Sequence, residues 1–269
     1  MPVVRVNGAA LGYDSYGEGE PVVLVNGTGA PGRIWRTHQV PALNAAGYRV
    51  ITLDNRGIPP SDPCPEGITL DDMAADVAGL IEHLDAGPCR VVGFSLGAVI
   101  VQELLLARPD LVRAAVLLAT CGRADALLTA MSAADLDLCD SGIKLPSRLA
   151  AYLQAVQNLS PRTLNDEDKL QDWLTVFEMS LVDLTAVRGQ LRLQLIPDRL
   201  PSYRGIRVPC QVIGFQDDLV VRPHLAREVA RSIPGSSYTE IPGCGHFGYL
   251  ERPDAVNSAM LEFFAGRQR

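Results

Sequence analysis

The chain has 269 residues, of which 47% are hydrophobic, 20% charged and only 6% aromatic. Lys and Arg number 24 against 31 Asp and Glu, giving a formal net charge of -7. The apolar fraction excludes wholesale disorder, and the acidic balance excludes nucleic acid as a default partner, because phosphate binding needs a basic face.

Val3–Val6 and Leu11–Tyr16 flank Asn7-Gly8, a pair that tolerates positive φ and predicts a tight hairpin. Val22-Val23-Leu24-Val25 is a continuous apolar run, as expected of a strand buried on both faces of a parallel sheet. Thr37–Ala46 reads as a helix and Tyr48–Leu53 as a strand. Thr69-Leu70-Asp71-Asp72 has the form of a capping box opening a helix to about Ala86. Cys89–Phe94 reads as a strand, Leu96–Arg108 as a helix and Ala114–Ala119 as a strand. This alternation predicts a mostly parallel sheet flanked by helices.

The rhythm stops after Cys121. From Arg123 to Arg204 only helical periodicity is found: Leu149, Tyr152, Leu153, Val156 and Leu159 form one series, and Trp173, Leu174, Phe177, Leu181 and Leu184 another. Strand Cys210–Gly214, helix Pro223–Ser232, strand Ser237–Ile241 and helix Pro253–Phe264 then resume the pattern, with Pro223 and Pro253 at first-turn positions. The expected organisation is a core made of residues 1–122 and 205–269, with a helical insertion at 123–204.

The six cysteines contain no C-x-x-C pair and suit reduced core filler better than a disulfide framework. No run approaches the ~20 apolar residues of a membrane helix, and the first residues lack the apolar stretch of a signal peptide. The expectation is a cytoplasmic protein without a membrane partner. Nothing calls for a metal or cofactor, and a homodimer is compatible with the sequence.

Gly93-Phe94-Ser95-Leu96-Gly97 falls where a strand meets a helix. A serine on such a turn is forced into a strained conformation that exposes Oγ, and the helix N-terminus favours negative charge beside it. Of the four histidines, His38 and His224 begin helices and His83 sits within one. His246 lies in a glycine-rich loop just past the last strand, where α/β sheets place chemistry. An orienting acid is expected between Ser95 and His246 at another strand end, and Asp217 and Asp218 both qualify.

With these motifs the chain resembles the α/β-hydrolase superfamily, in the branch of cofactor-free esterases, lactonases, thioesterase-like enzymes and non-haem haloperoxidase-like perhydrolases. The elbow GFSLG, the acid loop GFQDD, the histidine loop GCGHFGYLERP and Asp54-Asn55-Arg56-Gly57 carry the resemblance over nearly the whole chain. It implies an α/β-hydrolase fold with an eight-stranded sheet and a helical cap over the site. It also implies that the acid falls three residues after the strand-end Gly214, which selects Asp217 with Asp218 as runner-up.

The same resemblance places the oxyanion donors at the backbone amides of Thr28 and Leu96, although the loop reads Asn26-Gly27-Thr28 where relatives commonly have His-Gly-x. It assigns Asp54 and Arg56 to structural ties. Trp173, Phe177, Phe94 and Phe247 are candidate substrate contacts, with Met131 and Tyr152 behind them. Cys244 is a candidate for thiol sensitivity. The implied activity is serine-dependent cleavage of an ester, thioester or lactone of a small to medium apolar molecule, with a natural-product tailoring role suggested by analogy. Acyl transfer, perhydrolysis, carbon–carbon bond cleavage or a triad-bearing receptor are the alternatives for the same residues.

Overall fold

The computed structural model describes residues 1–180, 185–193 and 195–266. Its eight strands are β1 (Val3–Val6), β2 (Ala9–Tyr16), β3 (Glu20–Val25), β4 (Tyr48–Leu53), β5 (Cys89–Phe94), β6 (Val112–Leu118), β7 (Cys210–Phe215) and β8 (Ser237–Ile241). They form one sheet in the order β1-β2-β4-β3-β5-β6-β7-β8, parallel except where β2 pairs with β1 and β4. The hairpin at Asn7-Gly8 forms as expected, with φ of 47° and 75° at the two residues.

The described helices are α1 (Gln39–Ala45), α2 (Leu70–His83), α3 (Leu96–Ala107), α4 (Ala126–Ser141), α5 (Ser147–Asn158), α6 (Pro161–Leu164), α7 (Glu167–Met179), α8 (Arg188–Leu193), α9 (Leu200–Tyr203), α10 (Pro223–Ser232), α11 (Gly248–Glu251) and α12 (Pro253–Phe264). Strand side chains alternate between two cores. Val23, Val25, Val91 and Leu117 pack with α2 and α3, whereas Val22, Leu24, Val92 and Leu118 pack with α1 and α12. Continuous apolar strands are what such two-sided burial requires. The capping box at α2 is complete, because Thr69 Oγ1 accepts from the Asp72 amide while Asp72 Oδ2 accepts from the Thr69 amide.

Between β6 and β7 the described chain holds α4 to α9 and no strand. Helix α4 packs on α8, and α5 on α7. The first periodic series predicts a helix, and α5 is one, but its faces are the reverse of the usual reading. Leu149, Tyr152, Leu153 and Val156 are exposed, while Ala151 and Ala155 are buried against α7 together with Leu159. In the second series Trp173, Leu174 and Phe177 lie on α7, and Leu181 and Leu184 fall outside the described residues. All six cysteines are free, five of them buried. Among the described residues no helix is long and apolar enough to cross a membrane.

Candidate active site

The serine turn is built by close approach. A Cβ at Gly97 would collide with the Val25 carbonyl oxygen, and one at Gly93 with the backbone at Ala98. Two glycines therefore let α3 abut the ends of β3 and β5, leaving Ser95 between them at φ 53° and ψ −121°. A non-glycine residue at positive φ costs on the order of 1–3 kcal/mol and persists only where its surroundings enforce it. Here the Ser95 amide is tied to the Leu118 carbonyl at 3.0 Å, and its own carbonyl accepts from Ala98 and Val99 at the start of α3.

His246 is 4% exposed and lies between two partners. Its Nε2 is 3.1 Å from Ser95 Oγ, and its Nδ1 is 2.8 Å from Asp218 Oδ2. A carboxylate only accepts, so Nδ1 carries the proton and Nε2 presents its lone pair to the serine hydroxyl. Asp218 is held in turn by the amides of Val220 and Val221, both 2.8 Å from Oδ1.

The carboxylate that the structure brings to His246 is therefore Asp218 and not the expected Asp217. Strand β7 runs one residue past Gly214, with Phe215 still paired to Ile241, which moves the turn along by one. The Asp217 amide is held by the Cys244 carbonyl at 3.0 Å, and burial together with the nearby Glu251 carboxylate raises the Asp217 carboxyl above its ordinary range.

The loop after β3 lies directly against the serine, since a Cβ on Gly27 would stand 3.1 Å from Ser95 Cβ. Asn26 Oδ1 accepts from the Gly27 amide at 3.0 Å, Asn26 Nδ2 donates to the Pro31 carbonyl at 2.9 Å, and Asn55 Nδ2 donates to the Asn26 carbonyl at 3.0 Å. Thr28 is thus on the loop beside the nucleophile, and Leu96 is the first residue of α3, whose leading amides have no intrahelical partner to donate to. Asp54 and Arg56 are structural: Asp54 accepts from the Gly32 amide at 2.6 Å, and Arg56 grips Asp76 through Nε and Nη2, both at 2.6 Å.

The aromatic candidates do not form the pocket beside Ser95. Phe94 lies under the imidazole, with ring centroids 4.9 Å apart, and is buried against Trp35 and Tyr249. Phe247 packs with Trp173 and Phe177, joining the histidine loop to the α5–α7 core. Met131 packs against the second sheet core, and Tyr152 is exposed. The cavity at the serine is instead lined by Leu96 and Val99 of α3, Ala119 and Cys121 after β6, Leu128 of α4, Leu193 and Ile196, and Val220 and Val221. Apart from Ser95 these linings are apolar, and the volume is about 20 Å3, room for roughly one water-sized group. A larger cleft of about 680 Å3 opens elsewhere, between Leu159 and Leu164 on one wall and Asp217, Arg222 and His224 on the other; Ser95 does not line it.

Two anchors take no role from the sequence, although Glu251 lies within the histidine-loop motif. Glu251 accepts from the Gly245 amide at 2.6 Å and from the Ser160 amide and hydroxyl at 3.0 and 2.7 Å, clamping the histidine loop to the end of α5. Gln190 of α8 bridges the loop after β3 and the loop after β4. Glu251 sits five residues beyond His246 in that motif, which does not show what it bonds; Gln190 is remote in sequence from both its partners. Cys244 is fully buried and its thiol is pushed up to about 12, so it lacks the exposed thiolate that thiol sensitivity needs. Among the described residues no group of His, Cys, Asp and Glu side chains is arranged to hold a metal ion.

Comparison with known proteins agrees with this architecture. The model of a family described as the alpha/beta hydrolase family matches residues 22–259. A Mycobacterium tuberculosis protein named as a non-heme bromoperoxidase, BpoC, is 49% identical over 256 residues, which is 95% of this chain and 97% of that one. Its crystal structure superposes with a TM-score of 0.93 at 48% identity, covering 96% and 97% of the two chains. A pyrrolizixenacetamide deacetylase of Xenorhabdus hominickii is 29% identical over 94% of each chain. The crystal structure of an enol-lactonase from Burkholderia xenovorans LB400 matches with a TM-score of 0.85 at 26% identity, covering 98% and 100%.

Proposed function

Because the chain belongs to the α/β-hydrolase family, we propose that it is a serine-dependent hydrolase that cleaves an ester, thioester or lactone carrying a short apolar acyl group. One observation carries the reading: Ser95 Oγ, His246 and Asp218 are linked by hydrogen bonds of 3.1 and 2.8 Å beside a small apolar cavity. In the reaction Ser95 Oγ attacks the acyl carbon while its proton passes to His246 Nε2. The carbonyl oxygen becomes an oxyanion facing the Thr28 and Leu96 amides. His246 then protonates the leaving oxygen or sulfur as its bond to the acyl carbon breaks. Water repeats the sequence on the acyl-enzyme and frees Ser95. Asp218 holds the tautomer and stabilises the imidazolium. The segment from α4 to α9 acts as the cap, supplying Leu128 of α4, Leu193 of α8 and Ile196 of the α8–α9 connection to the acyl pocket.

A second reading keeps the same acyl-enzyme and lets hydrogen peroxide replace water, releasing a peracid. It is supported by the 49% identical relative named as a bromoperoxidase.

Treatment with a fluorophosphonate probe followed by peptide mapping tests the proposal, alongside hydrolysis of p-nitrophenyl acetate. Adduct on Ser95, with labelling and turnover both lost in Ser95→Ala, is the expected result. Turnover that survives in Ser95→Ala overturns it. Peracid formation exceeding hydrolysis when peroxide is added selects the second reading.

A further inference from the structure

The loop after β3 reads Asn26-Gly27-Thr28 where similar sequences commonly have His-Gly-x, and a side chain from α8 holds it in place. Gln190 is fully buried. Its Oε1 accepts from the Gly29 amide at 2.9 Å, and its Nε2 donates to the Arg56 carbonyl at 2.6 Å. These partners lie 161 and 134 positions away in the chain. One planar carboxamide thereby satisfies a donor and an acceptor on two core loops, the first of which lies against the serine.

The Arg56 end of this bridge is held through its side chain. Through its guanidinium Arg56 makes two 2.6 Å contacts with Asp76 and donates to the Asn7 carbonyl at 3.1 Å, tying the loop after β4 to α2 and to the first hairpin. Its neighbour Asn55 holds the Asn26 carbonyl. Thr28 is thus bracketed: the Gly27 amide is fixed by Asn26 Oδ1 on one side, and the Gly29 amide by Gln190 on the other. The hydrogen bond to Gly29 comes from outside the loop, so the orientation of the peptide between Thr28 and Gly29 depends on a helix of the insertion.

We infer that Gln190 is a positioning residue of the oxyanion loop: by holding the Gly29 amide while anchored on the Arg56 carbonyl it fixes the peptide that follows Thr28, and so constrains the Thr28 amide on the peptide before it. This rests on the reading of Ser95 as an acylated nucleophile with Thr28 as an oxyanion donor. Gln190 touches no reacting atom. Its contribution belongs to the transition state, where the carbonyl oxygen becomes charged, and barely to ground-state binding.

Two variants separate this role from a structural one. Gln190→Met keeps the length of the side chain and removes both hydrogen bonds. It is expected to lower kcat for p-nitrophenyl acetate by about ten- to a hundredfold, less than complete loss of an oxyanion donor, with KM changed less than about threefold. Affinity for a phenylboronic acid, which forms a tetrahedral anion on the serine, falls by the same factor as kcat. Gln190→Glu keeps the acceptor for Gly29 but sets a carboxylate against the Arg56 carbonyl. Its kcat relative to wild type is expected to rise as pH falls from about 8 to about 5, because the protonated acid donates again.

A folded Gln190→Met with wild-type kcat and boronate affinity overturns the inference, as does a loss confined to KM. If Gln190→Met does not fold, Gln190→Glu decides, and a kcat ratio that does not vary with pH overturns it. Failure of the underlying functional reading is distinguishable, because then Ser95→Ala retains turnover.

Discussion

Asp218 and Asp217 are adjacent carboxylates in one turn, and their surroundings assign them different work. Asp218 receives the Val220 and Val221 amides on one oxygen and the imidazole on the other, and it is 2% exposed. Both border the larger cleft, but Asp217 has no hydrogen bond to His246 and is only partly buried. Asp218→Asn is therefore expected to lower kcat by about a thousandfold or more, because an amide in that place no longer fixes the proton on Nδ1. Asp217→Asn should stay within about threefold of wild type, as a partly exposed side chain without a catalytic contact. Steady-state kinetics on both variants decide the assignment, and the reverse order of effects would return it to Asp217. The sequence identifies the turn, the serine and the histidine because glycines and strand ends mark them. It leaves the acid one residue uncertain, because strand length is set by pairing with β8 and no local residue announces that Phe215 is still in the ladder.

At the scale of elements, legibility follows how local the cause is. The Asn7-Gly8 turn, the capping box of α2 and the first-turn prolines of α10 and α12 all form where the sequence places them, since each depends on residues within one turn. The faces of α5 are a different matter. Periodicity shows that four large apolar residues share a side but not what that side meets, and the buried side proves to be Ala151 and Ala155, packed against α7. Small residues allow two helices to approach closely, and Ala155 is 2% exposed at this contact. Ala155→Leu is thus expected to destabilise the protein by about 1–3 kcal/mol through overpacking. Leu153→Ser, on the exposed side, should change stability by only about 0.5 kcal/mol. Urea unfolding of the two variants tests this, and a larger loss for Leu153→Ser would mean that the outer face is covered in solution. The aromatic candidates follow the same logic: Trp173 and Phe177 pack on Phe247 and join α7 to the histidine loop, and none of the three lines the cavity at Ser95.

In the whole molecule the insertion is fastened to both halves of the candidate site. Gln190 ties α8 to the loop after β3, while Glu251 ties the histidine loop to Ser160 and the Phe247 amide donates to the Asn158 carbonyl at 3.2 Å. A third tie runs through Arg188, which bonds Asp140 of α4 at 2.6 Å and Glu66 of the core at 2.5 Å. Helices α4 and α8 border the cavity beside Ser95, whose volume is about 20 Å3, and under the proposed function that cavity takes the acyl group. Leu128, 3% exposed, stands on α4 at that wall. Replacing it with Ala removes three carbons from the wall and costs about 2–5 kcal/mol of stability if the space stays empty. The same space is available to a longer acyl chain, whose burial recovers about 0.8 kcal/mol per methylene. Wild-type kcat/KM on p-nitrophenyl esters is accordingly expected to fall steadily from acetate to octanoate. In Leu128→Ala the optimum should move to butyrate or hexanoate, with the gain for hexanoate on the order of tenfold or more from two or three buried methylenes. An unchanged chain-length profile in a folded Leu128→Ala would place the acyl group on another side of Ser95, away from α4.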